Sequence, residues 1–193
     1  LSIEDRARQA MRRNIDAWWP LLEAGAECIV MTASGCGVTV KEYGQVLADD
    51  SQYAEKAKRV SSLTWDLSEI LLREPIAASL AGRGVSVAVQ TPCSLQHGQG
   101  INGSIEKILS RVGFQPAAVE NPHLCCGSAG SYSILQPSIA KRLRRDKLAA
   151  LQAGGPNVIA TANVGCQVHL AAQSTVPVRH WIELVDSAMQ LND

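Results

Sequence analysis

Two segments of this sequence, 130 residues apart, repeat one order of residue types: Ile29-Val-Met-Thr-Ala-Ser-Gly-Cys36 and Ile159-Ala-Thr-Ala-Asn-Val-Gly-Cys166. Each follows a helical pattern holding an arginine pair, Arg12-Arg13 or Arg144-Arg145, and then Ala-Gly. A period this long signals duplicated domains, since solenoid repeats are far shorter. Each copy reads as helix, short apolar strand and a turn ending in Gly-Cys, so the chain is confined to layered α/β folds.

The rest of the pattern agrees. Ser2–Leu22 reads as a helix stopped by Gly25, Cys28–Thr32 as a strand, and helices are expected from about Val38 and over Tyr53–Leu72. Ala81-Gly82-Arg83-Gly84 reads as a connector, and Val85–Gln90 alternates as a strand. Ile101, Ile105, Ile108, Leu109 and Val112 mark one helix face before Gly113. A strand over Pro116–Glu120, a helix over Gln136–Ala153, a strand over Val158–Ala162 and helices over Gln167–Ala172 and Trp181–Leu191 complete the reading. The expected architecture is α/β: parallel sheet layers with flanking helices in two duplicated cysteine-rich domains. Residues 1–80 and 81–193 form the two. Shifting Cys125-Cys126 back by the repeat period lands at about −5, before residue 1, so the first domain is expected to be incomplete.

Charge narrows the partners. Lys plus Arg and Asp plus Glu are 18 each, so no global basic field draws nucleic acid. No apolar run is long enough to span a bilayer, and no charged-then-apolar leader is seen. A cytoplasmic setting is therefore expected. Six cysteines in that setting point to metal or redox chemistry rather than a disulfide framework.

In the second unit the order is Cys93, 31 residues, Cys125-Cys126, 39 residues, Cys166. Each position follows an expected strand, and loops at the carboxyl ends of parallel strands gather at one sheet edge. Four thiols can therefore meet there. Gly127, Gly130 and Gly165 let backbone approach an inorganic group closely. Soft thiolates select iron–sulfur clusters or zinc. A dithiol couple through Cys125-Cys126 alone is disfavoured, because a vicinal disulfide forces unusual geometry.

The phrases Thr32-Ala-Ser-Gly-Cys-Gly37, Lys41-Glu-Tyr-Gly44, Leu95-Gln-His97, His123-Leu-Cys-Cys-Gly-Ser-Ala-Gly130, Asn163-Val-Gly-Cys-Gln-Val-His-Leu170 and Pro177-Val-Arg-His-Trp-Ile182 resemble the CCG, or cysteine-rich, domain family. That family includes iron–sulfur subunits of glycolate-oxidising complexes, lactate-utilisation proteins and a heterodisulfide reductase subunit. The wording is nearest to the glycolate-oxidising group and covers essentially the whole chain, as the carboxy-terminal half of such a subunit.

The resemblance implies an electron-transfer subunit, not itself the catalyst. It would work beside flavoprotein subunits of a 2-hydroxy-acid (glycolate) dehydrogenase and pass electrons toward quinone. Peripheral membrane association, at the inner face, would come through the complex. The family motif is Cys, Cys-Cys, then Cys-x-x-Cys. Cys93, Cys125, Cys126 and Cys166 match its first four positions, and His169 stands at the fifth. A [4Fe–4S] cluster, of the five-ligand or the ordinary four-cysteine kind, and a zinc-stabilised interaction domain all stay open at this point. His169 is a candidate ligand through a ring nitrogen. Cys36 matches a ligand position of the first unit and is counted as cofactor-binding in a complete protein.

Cys28, inside a strand pattern, is expected to serve as an apolar residue. His97 and His123 are expected to support the ligands by hydrogen bonds, and His180 to cap the last helix or pack at a surface. Gly98-Gln-Gly-Ile-Asn-Gly103 spells a dinucleotide fingerprint, but it stands too far from the preceding strand for the tight turn such a site needs. Lys141-Arg-Leu-Arg-Arg-Asp-Lys147 reads as a solvated basic helix face, with a docking surface for an acidic partner subunit as the functional alternative.

Overall fold

The computed structural model describes residues 4–75 and 84–190, and the chain divides into two compact units, Leu1–Leu67 and Ser68–Asp193. The expected connector at 81–84 lies, apart from Gly84, outside the described residues, as does the expected domain boundary after residue 80.

The first unit opens with α1 (Glu4–Glu23), which buries Ile15 and Leu22. Gly25, at φ +103°, ends it: the Ala26 N–H turns back to the Leu21 carbonyl at 3.0 Å. Strand β1 (Ile29–Met31), helices α2 (Ser34–Lys41), α3 (Tyr43–Val46) and α4 (Ala54–Ser62), and strand β2 (Thr64–Asp66) follow. β1 and β2 pair in parallel. The core collects Ile15, Leu22, Val40, Tyr43, Leu47, Ala57 and Val60.

One long helix over Tyr53–Leu72 was the expectation here, and the structure breaks it. After α4, Thr64 Oγ1 donates to the Val60 carbonyl at 2.7 Å, and the chain enters β2 before α5 (Leu67–Arg73). A β-branched residue beside an aromatic one is poor in a helix and good on a sheet. The partner strand β1 decides the matter: the Ile29 N–H donates to the Leu63 carbonyl at 2.8 Å.

The second unit holds a parallel sheet ordered β4-β3-β5-β6. β3 (Ser86–Gln90) runs into a π-helical turn, Ser94–Gly98, and then α6 (Ser104–Arg111). The five residues expected on one face of that helix, Ile101 to Val112, are all buried. β4 is only Gln115–Pro116, shorter than the expected Pro116–Glu120. Its last hydrogen bond comes from the Ala117 N–H to the Val87 carbonyl at 2.8 Å. Pro116 has no N–H to offer, and by Asn121, at φ +47°, the chain has turned away.

Helices α7 (Tyr132–Leu135) and α8 (Pro137–Gln152), strand β5 (Val158–Thr161), helix α9 (Val164–Ala171), strand β6 (Val178–His180) and helix α10 (Trp181–Gln190) complete the unit. The His180 Nδ1 accepts from the Ile182 N–H at 3.4 Å, so it does cap α10. No helix among the described residues is long and apolar enough to cross a membrane.

The repeat is structural as well as lexical. α2 and α9 occupy the same span when shifted by the repeat period, each just after a parallel strand. Both begin earlier than expected, with Gly-Cys inside the first helical turn rather than ahead of it. In α9 the Asn163 side chain secures that start by accepting from the Gly165 N–H at 2.9 Å.

One half-buried acid works against this fold. Glu106 on α6 leaves Oε2 buried without a partner among the described residues, and burial raises its carboxyl above the usual range. The folded state therefore holds this proton more tightly than the unfolded chain. Stability is lost as pH rises from the ordinary glutamate value, about 4.3, through the raised one. Glu106→Gln is expected to melt higher than wild type at pH 7. The gain should vanish as pH falls below about 4, where both states are protonated. Thermal denaturation across pH reads this directly.

Candidate metal centre

The sheet order reverses direction between β3 and β5, because β4 is laid down on one side of β3 and β5 on the other. At such a switch point the two following loops part and leave a crevice at the carboxyl ends of the strands. Gln90 and Thr161 mark that edge: they pair in register, and Thr161 Oγ1 donates to Gln90 Oε1. Cys93 stands just past β3, and Cys166 in the first turn of α9 past β5. The loop after β4 supplies Cys125 and Cys126.

The four sulfurs meet as a hydrogen-bonded chain. Cys93 bonds to Cys125, Cys125 to Cys126, and Cys126 Sγ donates to Cys166 Sγ at 3.0 Å. Backbone also points at them: the Gly127 N–H donates to Cys125 Sγ at 3.3 Å, and the Ser128 N–H to Cys126 Sγ at 3.5 Å. Donors converging on Cys125 pull its thiol far below the ordinary value, Cys126 and Cys93 contributing most. Its two hydrogen-bonding neighbours move the other way: Cys126 and Cys93 each keep a proton chiefly because it is shared with Cys125. All six cysteines are free thiols.

Among the described residues no group of three or more His, Cys, Asp or Glu side chains stands at metal-holding spacing. A tetrahedral metal with bonds of about 2.3 Å holds its sulfurs about 3.8 Å apart. The Cys126–Cys166 pair, at 3.0 Å, is closer than that. The donor set nevertheless fits a soft metal or an iron–sulfur group: four thiols, two backbone N–H donors and one cation. The sulfurs need only part to admit it.

The cation was not legible in the sequence. Lys147, read as part of a solvated basic face, is fully buried, and Arg144 in the same run is 9% exposed. Lys147 Nζ donates to the Pro122 carbonyl at 2.7 Å. Burial lowers its pKa, and all four site cysteines oppose that lowering. Arg144 instead braces α9, donating to the His169 carbonyl at 3.3 Å and to Gln173 Oε1 at 3.2 Å. Only Lys141, Arg142 and Arg145 keep the expected exposure. Helical periodicity explains the division, since Arg144, Lys147, Leu148 and Leu151 share one face of α8.

The remaining candidates sit as follows. His169 lies one turn beyond Cys166, and its Nε2 faces the Ala140 carbonyl at 3.4 Å. Cys36 is exposed on α2 in the first unit, lining a cavity of about 320 Å³ with Trp18, Met31 and Tyr43. Cys28 is half-buried beside β1. His97 and His123 are both exposed, and among the described residues neither ring bonds to a cysteine, which corrects the supporting role expected of them. The π-helical turn separates Gly98 from β3, so the glycine sequence forms no tight strand-to-helix turn.

Comparison with known proteins points the same way. The model of a family described as Cysteine-rich domain matches residues 2–41 and 87–171. Its two segments end where α2 and α9 end. The chain is 51% identical to the glycolate oxidase iron-sulfur subunit of Escherichia coli (strain K12), over 98% of this chain and 47% of that protein. It is 25% identical to lactate utilization protein A of Bacillus subtilis (strain 168), over 94% of this chain and 77% of that one. The Bacillus velezensis protein of the same name is 26% identical over the same shares. The chain thus spans about half the length of the Escherichia coli relative.

Proposed function

The chain belongs to the cysteine-rich domain family, and from that premise we propose that its second unit holds an iron–sulfur cluster and relays electrons within a 2-hydroxy-acid dehydrogenase complex. The observation that carries this reading is the meeting of Cys93, Cys125, Cys126 and Cys166 at the switch point of one parallel sheet. Bound there, a [4Fe–4S] group supplies one-electron chemistry. Cys93, Cys125, Cys126 and Cys166 would hold it as thiolates, with the Gly127 and Ser128 N–H groups donating to the Cys125 and Cys126 sulfurs. No side chain at the site is arranged as a base and nucleophile pair, so oxidation of the hydroxy acid falls to a flavoprotein partner.

Glycolate is the favoured substrate of the complex, on the 51% identity to a protein named for glycolate oxidase. Quinone is the proposed acceptor. The site of action is then the cytoplasm, at the inner face of the membrane when the complex meets quinone. His169 is the candidate fifth ligand, reached by turning its ring from the Ala140 carbonyl. Cys36 takes the equivalent role for the first unit, and the division into cysteine-rich domains follows the repeat. Exposed Ile134, Leu135, Val164 and Val168 flank the cysteine loops and support docking of a flavoprotein there.

A second reading, a zinc-stabilised interaction domain, draws on the close Cys126–Cys166 pair, which is nearer to the spacing of a single tetrahedral metal than to that of a larger cluster. Electron transfer separates the two. In the assembled complex, adding glycolate under anaerobic conditions is expected to produce the EPR signal of a reduced cluster that depends on Cys166. A complex that turns over glycolate with no such signal overturns the relay.

A further inference from the structure

Lys147 poses a problem of charge. Lysine is almost never fully buried unless paired, and an ammonium taken from water without a counter-ion carries a large penalty. Yet Lys147 is 0% exposed, and among the described residues no carboxylate lies within ion-pair distance of it. Among the described residues its hydrogen bond goes to a neutral carbonyl, that of Pro122, in the turn leading to Cys125. The groups acting on it electrostatically are Cys93, Cys126, Cys125 and Cys166. The bond to Pro122 asks for a donor but not for a charge, and the same α8 face carries Leu148 and Leu151, packed into the core.

We propose that Lys147 is the built-in counter-charge of the cysteine site: a fixed buried ammonium that balances ligand thiolates and makes electron uptake by the bound group easier. This rests on the proposed cluster. A four-thiolate cluster gains a further negative charge on one-electron reduction, and a positive charge held beside it favours the reduced form. Lys147 is a positioning residue in this role. It binds no metal and transfers no proton.

The experiment loads wild-type, Lys147→Gln and Lys147→Arg chains anaerobically with iron and sulfide, then follows reduction by EPR during a redox titration. Gln keeps a donor for the Pro122 carbonyl without the charge, and Arg keeps the charge. The Gln variant is expected to be harder to reduce by about tenfold in equilibrium constant, about 59 mV lower for one electron. The Arg variant should stay near wild type. A Gln variant that folds by circular dichroism but retains no iron, while Arg retains it, also supports the role. Lys147→Met replaces Gln if the latter does not fold.

A Gln midpoint equal to wild type, or an Arg midpoint lowered as far as Gln, overturns the counter-charge. Wild type taking up no iron or sulfide overturns the cluster reading instead. The same chains are then titrated with zinc, where equal affinity in wild type and Gln overturns the counter-charge on its own.

Discussion

Serine in place of Cys166 is expected to leave a folded chain that no longer holds iron. Cys166 is buried in the first turn of α9, and its sulfur lies 3.0 Å from that of Cys126. A hydroxyl of almost the same shape preserves packing but is a harder donor that iron–sulfur groups do not favour. Partners lying outside the ligand shell commonly change metal affinity by about 10–100-fold when mutated, so removal of a ligand should exceed that. Iron per chain after anaerobic desalting measures the loss. Cys28→Ser is the control: Cys28 lies in the first unit, and the variant should retain iron as wild type does.

Alanine at Gly127 should damage fold and site together. Gly127 sits at φ +89°, where side chains are strained, and an added Cβ would overlap the Ala140 carbonyl oxygen and press on Leu143 Cβ at 3.1 Å. A left-handed non-glycine residue costs about 1–3 kcal/mol and overpacking a similar amount, so about 3 kcal/mol or more is expected. The turn carrying Cys125 and Cys126 would lift from α8, and iron retention should fall with stability. Gly130→Ala isolates the backbone component. Gly130 also has positive φ, +56°, but open space around it, so its loss should stay near the lower figure. Urea denaturation midpoints of the two variants provide the comparison.

These effects show what was legible beforehand. Alternating apolar strands and the face of α6 follow from periodicity, so the α/β layers and much of the core could be read directly. The convergence of Cys93, Cys125 and Cys166 follows from a rule about parallel sheets that needs no strand order. β2 (Thr-Trp-Asp) and β6 (Val-Arg-His) were missed because, unlike the equally short β1 (Ile-Val-Met), neither carries an apolar run, and both owe their form to neighbouring strands. Propensity carries little signal at that length. The early start of α9 depends on Asn163 accepting from Gly165, a local bond that the apolar pattern does not register.

Lys147 was misread for a different reason. Its run contains five basic residues in seven, and composition alone favours solvent. Which of them turn inward depends on the face of α8 that meets the cysteine turn. That face is fixed by Gly127, whose missing side chain lets the Ala140 carbonyl approach. The exposed His97 and His123 illustrate the converse, since nearness in sequence to a ligand does not aim a ring at it.

The most direct measurement is the iron and acid-labile sulfide content of the anaerobically purified chain. A brown protein holding both is expected, with loss of both when Cys166 is replaced by serine. A colourless chain carrying zinc alone, or no metal at all, would contradict the proposed cluster.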